Sequence, residues 1–481
     1  MKFSSIFVFL AAAAGGLAQP ALTIYNQDFA VVRESLPVDL RAGVNDVRFA
    51  GATALLEPDS VVLRDPAGRV SLQILEQGYR SDAVSAGLLL SLSEGKILDF
   101  LSRDANGNER VVRGEVVRSG YLPGGGAEAP IIKVDGHLRF SLPGEPLFPA
   151  LADDTILKPT LSWKLESGEP ARFTAELGYV TGGFSWSASY NLVAPEKGDR
   201  LDIIGWVTVS NHSGKTFQDA AVKLMAGDVA KIQNLGANKV LQLDAFEARS
   251  AMSSPAPVVT EKAFDEFHLY SLSHPLTLHD GETKQVEFMS GTSVLAPVLY
   301  VYDGGSYRAG RGMNYGNQGN KKVWVMREFK DSEENHLGMP LPAGRLRLYR
   351  RDDSDGRLEF VGEDSIEHTP KNETVRFYTG DSFDLLGERT QTASSNGGVL
   401  SSVSRRDRRQ TVESFEIKLR NHKTEPVEIR VVEHLRAGGA WEITDQSAEF
   451  TKTDANTIEF RVTVQPEVEQ AVTYTAHYTW P

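Results

Sequence analysis

The chain has 481 residues, a formal charge of −13 and no cysteine. At roughly 150 residues per domain it holds about three domains. Without cysteine there are no disulfide staples, no thiolate metal ligand, no cysteine nucleophile and no lipid-modified cysteine anchor. An acidic chain is a poor generic binder of nucleic acid or anionic lipid.

Residues 1–18 read as a secretory signal. Lys2 is the charged start, residues 6–14 are apolar, and Gly16 and Ala18 place small residues before a cut at Gln19. The apolar run is far shorter than the roughly 20 residues of a membrane-spanning helix, and no second stretch reaches that length, so no transmembrane segment is expected after cleavage. The 43 Gly and 22 Pro are spread along the chain and favour many short strands over long helices.

Residues 19–83 read as an N-terminal β-sandwich. Leu22, Ile24 and Val31 flank a turn at residues 26–28, and residues 38–49 form a hairpin about Gly43. Residues 84–142 read as a small SH3-like barrel, with strands at 95–100, 111–117 and 131–134 and an Asn106-Gly107 turn. The stretch 120–130 carries three consecutive glycines and reads as a loop.

Residues 155–322 read as a central β-sandwich. In the stretch TGGFSWS and beyond it, Trp186, Ala188, Tyr190 and Leu192 alternate with Ser185, Ser187, Ser189 and Asn191. That is the period of a strand with one buried face. Gly182 and Gly183 serve a turn that feeds this strand. Leu201, Ile203, Gly205, Val207 and Val209 repeat the pattern before a turn at 211–214. Residues 244–262 and 304–320 lack periodicity and read as excursions.

Residues 323–481 read as a C-terminal β-sandwich. Phe415, Ile417 and Leu419 alternate with charged residues, as do Val427, Ile429 and Val431, then Ile458, Phe460, Val462 and Val464, then Val472, Tyr474, Ala476 and Tyr478. Spaced alternation of this kind marks an immunoglobulin-like or fibronectin-type sandwich. The fold class is therefore all-β: tandem sandwiches with a small inserted barrel. The stretches 206–224 and 415–433 both run strand, Asn-His, polar turn, strand; duplication and chance hairpin similarity both explain this.

Chemistry is sparse. Asp352, Asp353, Asp355 and Gly356 have the look of a calcium loop, but with Gly356 sixth the first and twelfth positions are Arg351 and Gly362, so two ligands fail. His268, His274 and His279 do not fall on one face of a strand. Ser185 lacks the closing glycine and following helix of a nucleophile elbow. Glu333 with Glu334, and Glu363 with Asp364, are sequence neighbours whose side chains point apart on a strand. No catalytic, cofactor-binding or metal residue is assigned, and no cofactor is expected.

Arg405, Arg406, Arg408 and Arg409 place four cations in five residues of an acidic chain. They guard a strand edge or contact an anionic partner such as a glycan, a lipid head group or an acidic protein. Tyr179, Phe184, Trp186, Trp206 and His212 are the alternative surface, although both tryptophans also suit core positions.

Several stretches together resemble a bacterial exported family called domain of unknown function 4139, related to the mucoidy-inhibitor-A-like proteins. They include LTIYNQDFAVVRESLPVDLRAG, YVTGGFSWSASYNLV, GWVTVSNHSG, HTPKNETVRFYTGDSFDLLGERTQT and LRNHKTEPVEIRVVEHL. The resemblance implies a β-rich exported protein and transfers no catalytic residue. Relatives with a long coiled-coil insertion differ from this chain, which has no heptad-rich stretch. The expectation is an envelope-associated binding or structural module, periplasmic or secreted, whose partner is an envelope or extracellular protein or glycan. A hydrolase or lectin-like enzyme of carbohydrate or peptide, with a site between domains, is the alternative.

Overall fold

The computed structural model describes residues 19–81, 84–103, 107–122, 128–148, 156–227, 229–231, 259–264, 266–305, 320–397 and 409–480. The expected signal, residues 1–18, lies outside them, as do most of the two excursions. The described chain is nearly all β, in several sheets with a sandwich-like layout. No helix among the described residues is long and apolar enough to cross a membrane. The chain divides into two compact units: residues 1–186, 209–230 and 269–284, and residues 187–208, 231–268 and 285–481.

In the first unit, the strand Ala21–Tyr25 lies antiparallel to Phe29–Leu40, which in turn pairs along its whole length with Ala171–Gly182. Ala21–Tyr25 also runs parallel to Phe217–Ala226. Phe173, Ala175, Leu177 and Tyr179 face inward at alternate positions and are buried. At Gly183 the chain takes φ 81, and a Cβ there would lie 2.6 Å from the His212 carbonyl oxygen. Only glycine passes this point without strain, which fits the turn read from TGGFSWS.

Gly43–Ala50, Thr160–Ser167 and Gln73–Arg80 form a three-stranded sheet with Thr160–Ser167 central. A separate five-stranded antiparallel sheet runs in the order Glu145–Leu147, Ile97–Arg103, Glu109–Arg118, Ile131–Val134, His137–Arg139. Leu90, Leu98, Phe100, Val116, Ile132 and Val134 make its core. Leu90 comes from a short helix, Ala86–Ser91, that the strand reading of this stretch missed. Six residues are too few for a helical period, and the local signal is a cap: the Leu88 N–H donates to Ser85 Oγ at 3.1 Å.

In the second unit, one sheet has the order Glu282–Leu295, Arg200–Asn211, Phe184–Ala194, Gly344–Arg351, Leu358–Ile366. The other has nine strands: Ala440–Gln446, Val468–Trp480, Arg409–Asn421, Thr374–Gly397, Lys322–Lys330, Val298–Asp303, Val427–His434, Thr457–Val464, Phe450–Lys452. Ile417 and Tyr474 from one end of that path share a core with Ile429, Val431 and Phe460 from the other. The sheet therefore folds over onto itself as a sandwich. The 24-residue strand Thr374–Gly397 makes the corner: its first part pairs with Lys322–Lys330 and its second with Arg409–Asn421.

Two buried asparagines close equivalent turns. Asn211 Nδ2 donates to the carbonyls of Lys215, Leu278 and His279, and its Oδ1 accepts from the Ser213 N–H. Asn421 Nδ2 donates to the carbonyls of Glu425 and Val464, and its Oδ1 accepts from the Lys423 N–H. Each amide replaces backbone partners that a buried turn would otherwise lack.

Candidate functional site in the C-terminal sandwich

The Val427–His434 strand buries Val427, Ile429, Val431 and Glu433 at alternate positions. The same periodicity that builds the core thus carries a carboxylate into it. Leu385, Gly387 and Arg389 point inward from Thr374–Gly397, and Val472, Tyr474 and Ala476 from Val468–Trp480. Arg389 Nε donates to both Glu433 oxygens, at 3.0 and 2.9 Å, and the Tyr474 hydroxyl donates to Glu433 Oε2. The guanidinium carbon sits 4.0 Å from the Phe415 ring centroid, and that ring stacks on Tyr474 at 5.2 Å. Tyr302 packs where Gly387 has no side chain: a Cβ there would lie 2.2 Å from the ring.

Burial pushes the Glu433 carboxyl up, and Arg389 and Tyr474 pull it back. Burial works against the Arg389 charge, but Glu433 and Tyr474 outweigh it and hold the guanidinium protonated. Burial, reinforced by Glu433, raises the Tyr474 hydroxyl well above the ordinary tyrosine range, so it remains a donor.

Two further pairs flank this centre. His434 Nε2 meets Asp303 Oδ2 at 2.8 Å, and its Nδ1 lies 3.3 Å from Thr457 Oγ1. The hydrogen bond to Asp303 raises the His434 imidazole above its usual value, against desolvation. Glu413, buried, accepts from Arg436 and from Gln391 Nε2. Burial, then the nearby Glu413, pushes Tyr478 up to about 12.

The first unit holds a smaller relative of this chemistry. Lys215 Nζ donates to both Glu34 oxygens at 2.6 and 2.7 Å, and the Tyr179 hydroxyl donates to Glu34 at 2.9 Å. The ammonium lies 5.1 Å from the ring centroids of both Phe49 and Phe217. Burial lowers the Lys215 pKa, and Glu34 partly restores it.

The residues singled out from sequence stand elsewhere. Arg405, Arg406 and Arg408 lie outside the described residues; Arg409 opens the Arg409–Asn421 strand, its backbone opposite Trp480. The Asp352 stretch is a hairpin turn: the Gly356 N–H donates to the Asp352 carbonyl, and Asp352 Oδ1 accepts from the Ser354 N–H. His268 pairs with Glu261 at 2.8 Å, His274 sits beside Ser273, and the His279 N–H donates to Glu282. Among the described residues no group of three or more His, Cys, Asp or Glu could hold a metal ion. Glu333 pairs with Lys371, Glu363 with Arg347, and Asp364 accepts from the Tyr378 N–H. Tyr179, Phe184 and Trp186 are buried, and Trp186 Nε1 donates to the Met225 carbonyl. Trp206 is half-buried and His212 exposed.

The buried cluster itself escaped the sequence reading. Its one signal was an acid at an inward position of the alternating strand VEIRVVEH. A cavity of ≈ 220 Å³ beside Arg200, Asp202, Ser293 and Arg351, and one of ≈ 270 Å³ over Asp46, Glu76 and Lys164, include no residue of the cluster in their walls.

No curated protein matches the chain. A family model described as "Domain of unknown function (DUF4139)" matches residues 175–481, more than half of the chain and all of the C-terminal sandwich. The chain belongs to that family.

Proposed function

We propose that the chain is exported through residues 1–18, cut before Gln19, and works in the periplasm or outside the cell as a binding or structural module of the envelope. The observation that supports this reading is the state of its buried charges. Glu433 is matched by Arg389 and Tyr474, and Glu413 by Arg436 and Gln391. A general acid or base must be left a proton to move; these carboxylates are held in fixed partnerships that rigidify one end of a sandwich. The partner is an envelope or extracellular protein or glycan. Fractionating cells that express the full chain, and sequencing the N-terminus of the product, tests the location. A cytoplasmic product that keeps Met1 sinks the proposal.

A second reading, a hydrolase of carbohydrate or peptide, draws on one arrangement. Asp303, His434 and Thr457 form a line of acid, imidazole and hydroxyl within hydrogen-bond reach. Turnover of a peptide or glycan panel that disappears in Thr457→Val would favour it over the binding module.

A further inference from the structure

The two asparagine turns belong to one strand plan used twice. In the C-terminal sandwich, Val298–Asp303 lies antiparallel to Lys322–Lys330 and parallel to Val427–His434. Lys322–Lys330 pairs with Thr374–Gly397, which pairs with Arg409–Asn421, and Val427–His434 pairs with Thr457–Val464. Earlier in the chain, Ala21–Tyr25 lies antiparallel to Phe29–Leu40 and parallel to Phe217–Ala226. Phe29–Leu40 pairs with Ala171–Gly182, Phe184–Ala194 neighbours Arg200–Asn211, and Phe217–Ala226 pairs with Leu276–Leu278. The turns share a set of hydrogen bonds. The His212 N–H donates to the Gly183 carbonyl and the His422 N–H to the Asp384 carbonyl. The Asn211 carbonyl accepts from Gly281, and the Asn421 carbonyl from Glu467.

These shared bonds set the correspondence of residues. Counting from Gly183 and Asp384, Arg389 stands where the first copy has Ala188. Counting from Gly281 and Glu467, Tyr474 stands where it has Phe288. Counting from the partners of the parallel strands, with one extra residue at Asp219, Glu433 stands where it has Leu224. Ala188, Leu224 and Phe288 are all buried. Each of these positions, taken by itself, therefore holds an apolar residue in the first copy. A buried ion pair exchanged for apolar residues of similar volume is often neutral or stabilising, so stability alone does not account for Arg389, Glu433 and Tyr474.

What the cluster adds is a guanidinium held in place with donors to spare. Both Arg389 bonds to Glu433 leave from Nε, and the fork beyond it carries four more N–H donors. Phe415 supports the guanidinium face, and 9% of the Arg389 side chain reaches solvent. The Tyr302 hydroxyl is buried and donates to no acceptor, and it lies beside the stem of Arg389: a Cβ on Gly304 would lie 2.8 Å from that oxygen and 2.9 Å from Arg389 Cβ. A fixed fork and a spare hydroxyl are the donors that recognise an oxyanion.

We propose that Arg389, oriented by Glu433 and Tyr474 and assisted by Tyr302, anchors an oxyanion-binding site at this end of the C-terminal sandwich. Its ligand presents a carboxylate or a phosphate. The site deepens the binding reading above and rests on it for its purpose. Its test does not depend on where the protein resides.

The test titrates the full chain with acetate and, separately, inorganic phosphate at constant ionic strength, following the Nε resonance of ¹⁵N-labelled Arg389. The expected result is a saturable shift. Saturation by acetate alone identifies a carboxylate ligand, and saturation by phosphate identifies a phosphate ligand. Arg389→Lys keeps the charge but not the fork, and affinity then falls at least about tenfold, read by calorimetry. The triple variant R389M/E433L/Y474F, apolar at all three positions and close to the wild-type volume, melts no lower than wild type and binds neither anion. No saturable shift with either anion overturns the proposal. So does unchanged affinity in the triple variant, which would mean an adventitious ion only.

Discussion

Glu433→Leu is the sharpest perturbation of the C-terminal sandwich. The substitution removes the acceptor of both Arg389 Nε bonds and of the Tyr474 hydroxyl. It leaves a guanidinium whose side chain is only 9% exposed without its counter-charge. Breaking one side of a buried pair costs about 3–5 kcal/mol. Each 1.4 kcal/mol is a factor of ten, so amide exchange along Val427–His434 accelerates about 10²- to 4 × 10³-fold where it reports opening of this sandwich. Adding Arg389→Met removes the orphaned charge at similar volume, and the double variant recovers most of the loss, short of about 1–3 kcal/mol for the Tyr474 hydroxyl left without its acceptor. Hydrogen exchange read by mass spectrometry suits a chain of several units, because it follows the affected strands and not one global transition. If Glu433→Leu changes exchange there less than about threefold, or the double variant is worse than the single, the pair is not the buried unit described and the reasoning fails.

Asn421→Ala leaves the Glu425 and Val464 carbonyls and the Lys423 N–H without their side-chain partner and costs about 1–3 kcal/mol in chemical denaturation; Asn211→Ala does the same in the first unit. Gly387→Ala drives a methyl into the Tyr302 ring and costs about 1–3 kcal/mol or more, measured by thermal unfolding; wild-type stability would contradict the close approach. His434 is raised by Asp303, with Glu433 and Asp454 acting in the same direction. Its stabilisation is therefore complete below the unfolded value of about 6.5 and is lost as pH rises through the folded value. The melting advantage of wild type over His434→Gln should shrink across that rise, and a constant advantage would exclude the pair as its source.

Strand positions were legible because alternation is a local signal. Val427, Ile429 and Val431, or Tyr474, Ala476 and Tyr478, declare a buried face within a few residues. Pairing was not legible, because it is decided by surfaces far apart in the chain. Nothing in Phe29–Leu40 names Ala171–Gly182 as its partner, although the two match residue by residue from Phe29 to Leu40. The candidate site failed to show for a related reason. Exposed oddities such as the arginine run or TGGFSWS draw the eye. Glu433 was one of two acids in VEIRVVEH; alternation places it inward and Glu428 outward, but only its neighbours across the sandwich show what it meets. The Asn-His repeat was visible, but its meaning needed the hydrogen bonds of Asn211 and Asn421.

The corner strand has a mechanical consequence. Because Thr374–Gly397 is stitched to Lys322–Lys330 on one side and to Arg409–Asn421 on the other, neither half of the sandwich can peel away while the other stays whole. Force applied across it meets two ladders of hydrogen bonds that share one piece of backbone. Pulled from its ends, this sandwich should give way in one step, and a single cut in the peptide backbone at Leu385, where the two ladders meet, should disable both halves at once.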